Sequence, residues 1–227
     1  STFALFALLA EIPTGSFGDT ISKKWSLVIG YVMHIVTTLA IILSNSFTEI
    51  IIASAFSGIG IAFVSGSDHA LIFDSLKELK KEKEFKKYLG SLAYVGSWSM
   101  AIAGIIGGLI AQIDLSYAWW AWFVIGFPVL FISLTITEPK TRGDKISNSY
   151  FNHIKHSFNY IISNNVGYFI LYSVLIWSFF SVGFWLWQPY MKAVGISVAY
   201  FGFVYAILNI VSGYISKESD YIEHNIG

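Results

Sequence analysis

Long apolar stretches alternate with short polar ones along the whole chain. Crossing the hydrocarbon core as a helix takes roughly 20 mostly apolar residues. Runs of that kind fall at residues 25–44, 47–73, 88–113, 117–137, 166–187 and 198–215. Residues 1–10 are apolar as well and read as the end of an earlier span. Backbone groups have no water to bond in hydrocarbon, so such runs must be helices; a membrane barrel would show alternating segments of about ten residues. The pattern predicts an all-α membrane protein, a polytopic transmembrane helix bundle with six full spans and a partial first one. Buried helices of a large soluble protein are the competing reading, but so many uncharged runs in succession are hard to place in water.

Composition agrees. The 227 residues are 55% hydrophobic, 18% aromatic and 12% charged, with a mean hydropathy of +0.63, whereas soluble domains carry about a quarter charged residues. Cysteine is absent, which excludes disulfides and thiolate metal sites within this sequence. No charged region precedes the first apolar run, so the start does not read as a signal peptide. It reads as a chain cut inside a helix.

Net charge is zero, but the placement of charge is informative. Thirteen of the 14 basic residues lie in alternate gaps between the apolar runs, among them Lys23 and Lys24, the run from Lys77 to Lys87, and Lys140, Arg142, Lys145 and Lys155. Lys192 is the exception. The positive-inside rule puts loops 18–24, 77–87 and 138–165 in the cytoplasm of a multi-pass protein of the cell membrane. The lysines of 77–87 are interleaved with Glu78, Glu82 and Glu84, which reads as a solvated helix extension and not as a nucleic-acid site.

The longest connection, 138–165, is the expected domain boundary. It divides a partial N-terminal bundle at 1–137 from the start of a second bundle at 166–227. Phe151, Ile154, Phe158 and Ile161 recur at three and four residues, with Asn152, Lys155, His156 and Asn159 between them. Such a helix suits the inner membrane surface, or packing on the ends of the bundle.

Between the first two apolar runs, Gly15 is followed by Asp19 four residues later and by the basic pair Lys23 and Lys24. Glycine allows a tight turn and close helix approach; an aspartate at a helix terminus can bond backbone amides or a basic partner. This stretch resembles the loop between helices 2 and 3 of the major facilitator superfamily, Gly-x-x-x-Asp-x-x-Gly-Arg-Lys/Arg, with Ser22 in place of the second Gly and Lys23 in place of the Arg. In the run from Tyr88, Gly90, Ser99, Ala103, Gly104, Gly107 and Gly108 align with the superfamily's antiporter pattern Gly-x8-Gly-x3-Gly-Pro-x2-Gly-Gly. The small residues survive and the Pro does not. Generic close packing of helices accounts equally for these glycines. The stretch from Ser57 to Leu76 and Gln188-Pro189-Tyr190 extend the likeness, so that the chain would run from the end of helix 2 through helix 8. The resemblance implies secondary transport of a small solute by two bundles rocking about a central site, with Asp19 helping to latch the inner gate.

Ionisable residues inside spans are costly and are functional candidates. Glu11 and Asp68 are the candidates for proton coupling; His34, His69 and Asp74 are weaker ones. Asp74, beside the lysine-rich loop, reads first as a structural ion pair or cap, and His34 as a hydrogen-bonded packing residue. Trp177, Phe180 and Phe184 form either part of an interfacial aromatic belt or one face of an apolar substrate cavity. The histidines form no metal pattern and no phosphate loop is present, so the chain reads as a non-enzyme without metal or cofactor. Its expected partners are the lipid bilayer, a small-molecule substrate and protons, with no nucleic acid. Proton-coupled transport leaning to efflux antiport is the leading expectation; facilitated uniport, or a non-transporting sensor or assembly protein with the same fold, are the alternatives.

Overall fold

A computed structural model describes residues 2–139, 166–197 and 200–218. The amphipathic segment expected around Phe151–Ile161 lies outside these residues. The described chain forms eight α-helices: α1 (Thr2–Thr20), α2 (Lys23–Leu43), α3 (Phe47–Ser65), α4 (Ser67–Glu78), α5 (Phe85–Ile113), α6 (Leu115–Thr135), α7 (Val166–Ala193) and α8 (Phe201–Lys217), with a 3-10 turn at Glu82–Glu84. Among the described residues, five stretches are long and apolar enough to cross a membrane: Lys23–Leu43, Phe47–Glu78, Glu82–Ile113, Leu115–Thr135 and Leu171–Ala193. The sixth expected span, α8, is apolar but only 17 residues long.

Two boundaries differ from the sequence reading. Helix α1 does not end near Ala10 but runs on to Thr20 through Pro13, leaving only Ile21 and Ser22 between α1 and α2. A membrane helix tolerates proline where neighbouring helices and Ser/Thr side chains satisfy the freed groups. The apolar run from residue 47 also continues past Phe73, but it breaks at Gly66, which is both the C-cap of α3 and the N-cap of α4.

Helix starts have local causes. Ser22 and Ser46 cap α2 and α3 by accepting from Trp25 N–H and Glu49 N–H, and Asp114 caps α6 by accepting from Ser116 N–H at 2.7 Å. Each satisfies an otherwise orphaned helix donor.

The helices meet through small residues. A Cβ on Gly30 of α2 would stand 2.8 Å from Gly60 O of α3, and one on Gly58 would run into the backbone of Phe3 and Ala7 on α1. Thr14 donates to Ala10 O at 2.8 Å and to Ala62 O of α3 at 3.1 Å, and Ser26 donates to Phe63 O at 2.7 Å. Without a hydrophobic drive between helices in lipid, close backbone approach and such hydroxyl bonds supply the adhesion. Many of the buried positions are accordingly small, among them Ala10, Ala53, Ala55, Ala62 and Ser26, while Leu8, Val36, Phe131 and Phe179 are exposed. Helix α2 sits between α3 and α6, α1 covers α3, and α5 pairs with α8.

Candidate functional site

The start of α2 is a junction of three elements. Lys23 Nζ pairs with Asp74 Oδ2 of α4, and both side chains are largely buried, 14% and 11% exposed. The residues just after α6 reach the same point. Glu138 accepts from Lys23 N–H at 2.8 Å through Oε1 and from the Ser22 hydroxyl through Oε2. Gly18 sits against this junction, since a Cβ there would stand 2.9 Å from Ser67 Oγ at the start of α4. The lysines that open α2 and those that follow α4 therefore lie at one end of the bundle.

Of the four predicted gating residues, Lys23 is built into this junction. Gly15 and Asp19 lie on α1 and not in a loop, and Gly15 faces open space. Asp19 is exposed and makes no ion pair among the described residues. Lys24 is half-buried in the first turn of α2. Asp74, read as a structural ion pair or cap, holds Lys23. Ser22 and Glu138 were not singled out as site residues. Ser22 carries a cap signal, a serine directly before an apolar helical run; nothing local in the sequence ties Glu138 to it, 116 residues away.

The candidate coupling acids lie at different depths. Asp68 is half-buried in the first turn of α4, one residue from the Ser67 that meets Gly18, and it accepts from His69 N–H at 2.6 Å. His69 Nδ1 lies 3.8 Å from the same carboxylate oxygen, and Tyr31 of α2 is within its electrostatic reach. Glu11 is exposed on α1, seven residues before Gly18 and so about 10 Å deeper along the helix. The two acids are not brought together. His34 packs its ring edge-on to Trp122 of α6, 5.1 Å between centroids, beside the close contact of Gly126 with Ile35.

On α5, Gly104 and Gly108 face Gly202 of α8; a Cβ on Gly202 would run into Gly104 O, and one on Gly108 would stand 3.5 Å from Gly202 Cα. A Cβ on Gly90 would meet Ser216 O at an ordinary 3.6 Å, and Gly107 faces open space. The predicted packing face thus divides, with Gly107 outside it. Next to it, Tyr94, Trp98 and Tyr214 form an edge-to-face cluster with Lys217 over Tyr94. Trp177 and Phe180 stack on each other and are 71% and 64% exposed, whereas Phe184 meets Tyr205 of α8, whose hydroxyl donates to Met100 S of α5. A cavity of about 500 Å³ opens between α2 and α3, lined by apolar residues such as Met33, Val36 and Phe56 with Glu49 at its edge. None of the predicted site residues lines it.

The family model of the Major Facilitator Superfamily matches residues 1–219. The chain belongs to this superfamily. Relatives within it include the vesicular acetylcholine transporter of Torpedo torpedo, 28% identical over 153 residues, which is 64% of this chain and 29% of that protein. The methyl viologen resistance protein SmvA of Salmonella typhimurium (strain LT2) is 28% identical over 135 residues, 58% of this chain and 26% of that protein. The chain thus spans less than a third of the length of these relatives. No solved structure matches it. The α5–α8 contact joins helices from opposite sides of the 138–165 connection.

Proposed function

We propose that this protein is a secondary active transporter that works by alternating access, coupled to protons through Glu11 or Asp68, and that its cargo is a small organic cation expelled by antiport. The observation that carries the reading is the charge distribution within the spans. Two acids, Glu11 on α1 and Asp68 in the apolar stretch Phe47–Glu78, lie within helices, while every described Lys lies at a helix end or between helices. An intramembrane carboxylate not paired with a lysine or arginine attracts either a proton or a cation, and competition between the two for one acid is a minimal antiport cycle. Aromatic side chains such as Trp177 and Phe184 add faces to which a cation is drawn. The relatives named for acetylcholine and methyl viologen, both permanently cationic molecules, support the same class. The lysine-rich end, with Lys23, Lys24 and the 77–87 stretch, belongs in the cytoplasm on the positive-inside rule.

The full-length protein reconstituted in vesicles tests this with methyl viologen as the probe. Transport should be driven by an imposed proton gradient and lose its dependence on that gradient in Glu11→Gln, Asp68→Asn or both. A rate indifferent to the gradient in the unaltered protein would remove the coupling. Transport that is gradient-independent but saturable would instead identify a uniporter.

A further inference from the structure

The junction at the start of α2 holds more than the ion pair. Where the superfamily pattern has its second glycine, this chain has Ser22, 6% exposed, with an extended backbone at φ −173° and ψ 127°. Its hydroxyl is used twice, accepting from Trp25 N–H at 3.1 Å and donating to Glu138. The second oxygen of Glu138 takes the N–H of Lys23, the first residue of α2. Both carboxylate oxygens are thereby spent on two successive residues, at the end of the helix where a negative charge is favoured. Lys23 is consequently fixed at both ends, its backbone by Glu138 and its ammonium by Asp74.

We propose that Glu138 is a positioning residue for the inner gate: by clasping Ser22 and the Lys23 backbone it sets the Lys23 side chain on Asp74, and so binds the exit of α6 to the starts of α2 and α4 as one unit. The importance of that unit to transport rests on the transporter reading above; the clasp itself does not. A glycine at position 22 could not take part, since it has no hydroxyl to donate or accept. Ser22 and Glu138 therefore belong together, as two halves of one feature. A lysine whose root is free has four rotatable bonds to order before it reaches a partner, and holding the root lowers that entropic cost.

Thermal unfolding of the full-length protein in detergent tests the clasp by double-mutant cycles. The coupling between Lys23→Met and Asp74→Asn is measured as a melting-temperature difference in three backgrounds: unaltered, Glu138→Gln and Ser22→Ala. Positioning by Glu138 predicts that the coupling falls at least two-fold with Gln at position 138 and by a smaller factor with Ala at position 22, which leaves the Lys23 N–H bond in place. Glu138→Asp should retain part of it. A coupling unchanged in both backgrounds overturns the proposal, even if every variant melts earlier, because general loss of stability does not alter a pairwise term. If the Gln variant fails to fold, the Ser22→Ala background decides alone. No substrate enters the measurement, so its failure is distinguishable from failure of the transport reading.

Discussion

Lys23 of α2 and Asp74 of α4 form an ion pair whose two side chains are 14% and 11% exposed. A pair this far from water is costly to break from one side, because the remaining charge stays buried without its main partner. Lys23→Met or Asp74→Leu alone should therefore destabilise the protein by about 3 kcal/mol, while the double apolar variant recovers most of the loss. Chemical unfolding in mixed micelles, with the four proteins compared, checks this. Equal losses in the single and double variants would show that the pair is not what these residues contribute.

The crossing of α5 and α8 predicts a sharp contrast between Gly202, which lies in the contact, and Gly107, three residues along α5 from Gly202's neighbour Gly104. Gly202→Ala sets a methyl group against Gly104 O, a backbone atom that cannot swing away, whereas Gly107→Ala meets nothing within 4 Å. The first should cost about 1–3 kcal/mol as overpacking and the second should fall within about 0.5 kcal/mol of the parent. Comparing the melting of the two variants in the same detergent is sufficient.

Asp114, between α5 and α6, gives a pH-dependent term. The Ser116 side chain and backbone N–H hold its carboxyl below the ordinary value of 3.8. A depressed pKa contributes stability that is fully present above that ordinary value and is lost as the pH falls through the lower folded-state value. The protein should thus melt earlier on acidification below about pH 4, and the decline should be shallower in Asp114→Asn. The carboxylate is exposed, so the difference between the two profiles is small; parallel profiles would deny Asp114 this role.

Much of the fold was legible because spanning length and lysine placement are strong, local signals. The starts of α2, α5 and α6 fall within three residues of the apolar runs that announced them. The end of α1 was misread because Pro13, Gly15 and Gly18 resemble turn residues in water. In the bundle, Gly18 and the nearby Thr14 form the contact with α3 and α4. The break at Gly66 is easily passed over, since the polar patch Ser65–His69 is short beside the apolar residues on either side of it. For the site, the motif residue Lys23 was visible and its partner Asp74 was at least suspected. Glu138 was not, because its role depends on α6 returning the chain to the end where α2 begins. The partner of Gly104 was equally hidden: Gly202 lies beyond the linker, and pairing across such a distance leaves no periodic trace.

The proposed alternating access requires the helices on either side of the 138–165 connection to shift against each other during transport, and locking α5 to α8 tests it most directly. A Cβ on Gly213 would stand 2.9 Å from Ser97 Cβ, close enough for a disulfide once both positions are cysteine and the helices adjust slightly. This sequence has no cysteine of its own. Proton-driven methyl viologen transport by full-length Ser97→Cys/Gly213→Cys should fall to background on oxidation and return on reduction, while each single variant is insensitive to both treatments. Undiminished transport by the fully cross-linked protein would contradict the account.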